Sequence, residues 1–170
     1  MHKFIIPIAL LLVLPSCSSS ENNPSVRSLA KADKVLVEKR IRRLSLYSKG
    51  RVIKTYRISL GRNPVGPKMR QGDNRTPEGI YKIDYRNGKS RYHRALHITY
   101  PNPADRARAR KLKVSPGGDI MIHGIGKKFG CVGPLHRFVD WTRGCIAVTN
   151  PEIEEIWKLV PNGVRVEIVP

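Results

Sequence analysis

Short runs in which apolar residues alternate with polar ones, each closed by a Gly, Pro or Asn turn, govern what this chain can fold into. Leu44 and Leu46 precede the turn Ser48-Lys49-Gly50, and Val52, Tyr56, Ile58 and Leu60 follow it. A period of two sends every second side chain to the same face, so this pair is predicted as a β-hairpin with one buried face. Tyr81, Ile83 and Tyr85 predict another strand, Asn87-Gly88 a turn, Leu96, Ile98 and Tyr100 a further strand, and Val164, Val166 and Ile168 a last one. Gly61, Asn63-Pro64, Gly66-Pro67 and Gly72-Asp73 predict a long irregular loop that ends at Thr76-Pro77-Glu78-Gly79. Helical spacing is confined to two places. Thr149-Asn150-Pro151-Glu152 supplies a polar cap, a first-turn proline and an acidic group at the positive end of a helix dipole. Ile153, Ile156, Trp157 and Val160 then form its buried stripe, and Pro161-Asn162-Gly163 stops it. A second short helix is predicted within 103–116, where alanines are interleaved with Arg106, Arg108, Arg110, Lys111 and Lys113. This basic segment precedes the strand of His123 and is read either as a flap over a site or as a plain exposed helix. The fold class is mainly β with one or two short helices.

The ends and the charge bound the setting. Lys3, the apolar run 4–13 and Leu14-Pro15-Ser16-Cys17 form an export signal too short to span a bilayer as a stable helix. Because the run stops directly against a cysteine, residues 1–16 are read as a lipoprotein signal and Cys17 as the lipidated mature N-terminus. Residues 17–33, rich in Ser and Asn, are read as a lipidated N-terminus and tether, and 34–170 as one domain with a sizeable core. Thirty-two Lys and Arg stand against 13 Asp and Glu, a net charge of +19. In an exported protein such a surface meets wall peptide carboxylates and anionic lipids, so nucleic acid is not an expected partner.

The chemistry concentrates near the C-terminus. Ile120-Met121-Ile122-His123-Gly124 reads as a strand that delivers a histidine, and Asp140-Trp141-Thr142-Arg143-Gly144-Cys145 as a turn entering a second apolar strand. A thiolate is the reactive form of cysteine, so Cys145 as nucleophile needs a base, for which His123 serves. Arg143, two residues before Cys145, shares its face if the backbone there is extended, and its fixed charge then favours the thiolate. Gly144 lets the backbone approach a substrate carbonyl, and the amides of Gly144 and Cys145 are the predicted oxyanion hole. His123, Cys131, His136 and Cys145 also form H-x7-C-x4-H-x8-C, but the short C-x2-4-C pair typical of structural zinc is missing, and no metal or cofactor is expected.

His123-Gly124 followed by Thr142-Arg143-Gly144-Cys145 resembles the HG…[ST]xGC signature of the L,D-transpeptidase (YkuD-type) catalytic domain. The similarity extends through Thr76-Pro77-Glu78-Gly79-Ile80-Tyr81, Tyr100-Pro101-Asn102 and residues 116–124 to Trp157, and is closest to the murein transpeptidase branch with the DWTxGCIAVTN motif. Two positions depart from it: Arg143 stands where many members carry a second histidine or a small polar residue, and Ala147 where many carry an arginine. The resemblance implies a β-sandwich-like fold, peptidoglycan stem peptides as substrate, a thioester on Cys145 and a backbone carbonyl, rather than Asp140, orienting His123. The acyl acceptor implied is a stem amine, an envelope protein or water; a hydrolase on the same scaffold and a non-enzymatic basic wall-binding lipoprotein are the alternatives. The expected form is a monomer on the periplasmic face of the envelope, anchored as an outer-membrane lipoprotein. Cys131, left over once Cys17 and Cys145 are assigned, is either a bystander thiol or a disulfide partner of Cys145.

Overall fold

The computed structural model describes residues 30–126 and 130–170; the predicted signal 1–16, the lipidated Cys17 and the tether as far as residue 29 lie outside the described residues. Eight strands form in chain order: β1 (Lys34–Glu38), β2 (Arg43–Ser48), β3 (Arg51–Arg57), β4 (Gly79–Asn87), β5 (Ala95–Ile98), β6 (Met121–His123), β7 (Ile146–Ala147) and β8 (Arg165–Val169). Helix α1 (Pro103–Lys111) precedes β6, a 3₁₀ segment (Gly130–Phe138) separates β6 from β7, and α2 (Asn150–Leu159) separates β7 from β8. The expectation of a mainly β chain with one or two short helices is met, with two α-helices.

All eight strands belong to one sheet in the order β3-β2-β1-β8-β4-β5-β6-β7. Its two edges are β3 and β7, and the chain running on from β3 reaches the far edge. Ser59 and Ala147 exchange two backbone hydrogen bonds of 2.9 Å, and Gly61 bridges Thr142. The sheet thereby curls back on itself, with the segment after β3 pairing the outer side of β7. Inside the curl lie Val35, Val37, Leu44, Leu46, Ile83, Leu96, Ile98, Ile122, Ile146 and Val166, none more than 1% exposed, with Ile153 and Ile156 of α2 in the same cluster. Each such side chain contributes roughly 1.5–3 kcal/mol by leaving water.

The predicted hairpin forms through Lys49 (φ 51°) and Gly50 (φ 75°), the left-handed pair that a tight two-residue turn requires. Its register departs from simple alternation at one point. A bulge pairs Tyr47 with Val52 but Leu46 with Lys54, and the extra residue inverts the phase, so Val52 faces solvent at 53% exposure while Ile53 packs on the core. The same irregularity recurs between Ile83 and Arg86, where Tyr85, expected to share the buried face of Tyr81 and Ile83, is turned outward and stacks on His97 at 4.5 Å. The strand β1 is not among the sequence expectations. Val35-Leu36-Val37 is a continuous apolar run too short to show a period; in the sheet β1 lies between β2 and β8, parallel to β8, with Val35 and Val37 buried and Leu36 half-buried. The folded unit also takes in Ala32, which is buried and donates to Leu159 O at 2.9 Å, within the stretch read as tether.

Both helices carry capping boxes, Asn102 with Asp105 and Thr149 with Glu152. In α1, Asp105 is buried and accepts from Tyr81 Oη at 3.0 Å and from Asn102 N at 3.1 Å, which locks the helix to the sheet. Trp157 of α2 is held between the guanidinium groups of Arg86 (3.9 Å) and Arg94 (4.7 Å).

Candidate functional site

Parallel pairing of β6 and β7 sets Ile122 opposite Ile146 and His123 opposite Ala147, which brings Cys145, just before β7, level with Met121. Sheet registry thus joins two short segments that lie about twenty residues apart in the chain. His123 and Cys145 line one cavity of about 1130 Å³, together with Tyr92, Trp141, Thr142 and Asp119.

His123 is 3% exposed, and its Nδ1 lies 2.6 Å from Gly124 O. A carbonyl accepts, so Nδ1 carries the hydrogen and Nε2 keeps the lone pair of a base. Tyr92 stacks on the imidazole at 4.5 Å and 28°, and Trp141 meets it edge-on at 5.8 Å. Burial in this aromatic surround pushes His123 down to about 4; the bond to Gly124 acts the other way, while His136 and Arg91 add to the depression. The ring is therefore neutral at ordinary pH. Asp140 does not orient it: its carboxylate pairs with Arg42 Nη2 at 2.6 Å and accepts from Leu60 N at 2.9 Å.

The approach to Cys145 is not extended, so the reasoning that put Arg143 on the face of the thiol loses its premise. Thr142 Oγ1 accepts from Gly144 N at 3.0 Å and donates to Cys145 O at 2.8 Å, folding residues 142–145 into a side-chain-closed turn. Arg143 lines the cavity but is exposed, and the cation whose charge acts on the thiol is Lys68. Lys68 is 4% exposed and held by Asp73 Oδ1 at 2.7 Å. Burial pushes the Cys145 thiol up; a hydrogen bond from the Met121 amide lowers it, Asp119 raises it and Lys68 lowers it. The predicted oxyanion hole changes in the same way. The Gly144 amide hydrogen is committed to Thr142, whereas the Cys145 amide has no acceptor among the described residues. Gly144 itself is required for shape: its φ is 129°, and a Cβ there would stand 2.6 Å from Arg75 O.

The cations of α1 and of the turn after it do not overhang the site. None of Arg106, Arg108, Arg110, Lys111 and Lys113 lines the cavity, and α1 is a plain surface helix. Thr76 serves the frame by accepting from Gly61 N at 3.1 Å, and buried Lys39 donates to Thr76 O at 3.1 Å and to Glu78 at 2.7 Å. His136, one of the four residues of the zinc-like spacing, is 8% exposed and bonded through Nδ1 to Ser59 Oγ at 3.0 Å. Cys131 is exposed on the 3₁₀ segment, and both it and Cys145 are free thiols. The four zinc-like residues do not assemble: among the described residues no three His, Cys, Asp or Glu side chains converge on one point.

Sequence reasoning missed Tyr92, Lys68, Asp119 and the Met121 amide. Tyr92 follows the turn at Asn87-Gly88 and Lys68 sits inside the long irregular loop, so neither belongs to a patterned segment. Asp119 had one local signal, its place directly before the histidine strand.

The family model described as YkuD, L,D-transpeptidase catalytic domain, matches residues 32–168. Over 132 residues the chain is 35% identical to the Escherichia coli (strain K12) protein YafK, which carries an L,D-transpeptidase name; the match covers 74% of this chain and 46% of that protein. Among solved structures, the helical cell shape determining protein Pgp2 from Campylobacter jejuni is 28% identical with a TM-score of 0.63, covering 82% of this chain and 48% of that one. An L,D-transpeptidase from Xylanimonas cellulosilytica shares the fold at 16% identity and a TM-score of 0.51, over 82% of this chain and 61% of that one. The chain thus spans about half the length of the first two of these proteins.

Proposed function

The chain belongs to the YkuD family of L,D-transpeptidase catalytic domains, and from that premise we propose that it acylates itself on Cys145 with a peptidoglycan stem peptide and passes the acyl group on. What supports this reading is one juxtaposition: β6–β7 pairing puts a neutral, Nδ1-anchored histidine and a partly exposed cysteine into one cavity. Depressing the histidine and raising the thiol both oppose a resting ion pair, so the ground state is thiol and imidazole. As Sγ attacks the carbonyl carbon, His123 Nε2 takes the thiol proton and later gives it to the departing amine. The Cys145 amide receives the developing oxyanion, and the Met121 amide and Lys68 steady the sulfur's charge.

Arg62, Lys68, Lys89, Arg91 and Arg143 line the cavity against Asp119 alone among acidic residues, which suits a donor peptide bearing several carboxylates. The substrate proposed is accordingly the stem tetrapeptide, cut between diaminopimelate and the terminal D-alanine. The role proposed is cell-wall cross-linking or remodelling; the resemblance to a cell shape determining protein supports placing it in shape maintenance. Export, lipidation of Cys17 and a periplasmic, outer-membrane position belong to the same proposal and rest on the sequence of residues 1–17.

The test is intact-protein mass spectrometry after mixing with a tetrapeptide stem. Wild type is expected to gain the mass of the tripeptide acyl group and release D-alanine, and Cys145→Ala to do neither. Normal release of D-alanine by Cys145→Ala would remove the enzyme reading and leave the wall-binding one.

A further inference from the structure

Asp119 stands apart in the cavity. It is the acidic residue in a lining that carries five cations, yet its carboxylate enters none of the ion pairs among the described residues. It is exposed, and its own carbonyl oxygen lies 3.5 Å from Cys145 Sγ. Two observations weigh against its presence if the cavity only forms the thioester. The backbone at Asp119 is left-handed, with φ 55°, a conformation that Asp tolerates better than most residues but that still costs energy. Its negative charge also raises the thiol, opposing the nucleophile it adjoins. A local cost at a functional site points to a use in another step.

The step with the matching requirement is deacylation by an amine. An amine acceptor arrives as an ammonium ion, which a cavity lined by Arg62, Lys68, Lys89, Arg91 and Arg143 repels. Water carries no charge and needs no such counterpart. We infer that Asp119 is the acceptor-binding residue, holding the ammonium of an incoming amine beside the thioester and thereby directing the acyl group to transfer rather than to hydrolysis. This rests on the thioester reading above and names the acceptor class that reading leaves open. In the step itself the ammonium gives one proton to solvent, and the neutral nitrogen attacks the thioester carbonyl. The second proton passes to His123 Nε2, the C–N bond forms, the C–S bond breaks, and the departing thiolate recovers its proton from His123.

Asp119→Asn isolates the charge, since Asn has the same shape and the same tolerance of a left-handed backbone. The measurement is the partition of acyl-enzyme between amide product and hydrolysed tripeptide, with a stem peptide carrying a free side-chain amine as acceptor. Partition depends only on the fate of the thioester, so slower acylation or a smaller folded fraction does not alter it. A charge-assisted contact of this kind predicts that the amide-to-acid ratio falls by about tenfold or more in Asp119→Asn. Hydroxylamine, uncharged at neutral pH, serves as the second acceptor, and its partition is expected to be the same in both proteins. An unchanged ratio with the stem amine refutes the assignment while leaving the thioester chemistry intact. An equal fall with both acceptors refutes it too, because it would mean a general defect in deacylation. Absence of any acyl-enzyme in wild type removes the thioester reading and this inference with it.

Discussion

Acid should weaken this fold through one buried side chain, and the size of the effect follows from the surroundings of His123. The ring is enclosed by Tyr92, Trp141 and the Gly124 carbonyl, and burial lowers it from an ordinary 6.5 to about 4. In the unfolded chain the same imidazole is solvated and binds a proton near its ordinary value. Between those limits the unfolded state holds more protons than the folded one, so stability rises with pH across the window and is lost as pH falls toward 4. At pH 4.5 the linkage amounts to about 2.5 kcal/mol relative to neutral pH, out of a total that is commonly only about 5–15 kcal/mol. The assay is urea unfolding followed by tryptophan fluorescence at pH 7.5 and pH 4.5, in wild type and in His123→Asn. Asparagine retains a donor for Gly124 O and does not titrate. The paired carboxylates are common to both proteins and cancel in the double difference, and the influence of His136 on His123 is already contained in the depressed value. Wild type is expected to lose about 2.5 kcal/mol more than the variant on acidification. Equal losses would refute the argument that burial keeps His123 neutral, and with it the assignment of a resting thiol and imidazole.

Two further predictions test the surroundings of Cys145. Alkylation of Cys145 by iodoacetamide should accelerate with pH, with an inflection above that of a free cysteine; Lys68→Gln should move that inflection higher and Arg143→Gln should not, whereas the opposite ranking would restore Arg143 as the cation supporting the thiolate. Thr142→Val removes both the acceptor for Gly144 N and the donor to Cys145 O at a residue 4% exposed. It should lower unfolding free energy by about 2 kcal/mol in urea titrations and slow acyl-enzyme formation in the same preparation; unchanged values for both would show that the turn is held by other contacts.

The alternation at Leu44, Leu46, Tyr56 and Ile58, at Tyr81 and Ile83, and at Val164, Val166 and Ile168 was legible because period two in a half-buried strand is a local property of the chain. The caps and stripe of α2 were legible for the same reason, as were the histidine strand and the Gly-Cys turn, each as a separate segment. The bulges that turn Val52 and Tyr85 outward were not, because an extra residue in one strand is defined only against its partner. Nor was β1, whose apolar run acquires its strand identity from β2 and β8 on either side. At the site, the sequence by itself supplied the residue types proposed to react and the glycine that lets the turn close. Tertiary structure decided their surroundings: which cation reaches the thiol, which amide remains for an oxyanion, and what encloses the imidazole. Lys68, Tyr92 and Asp119 come from three separate connecting segments, and charge and burial act through space, so their effect exists only once the curled sheet has brought those segments to one cavity.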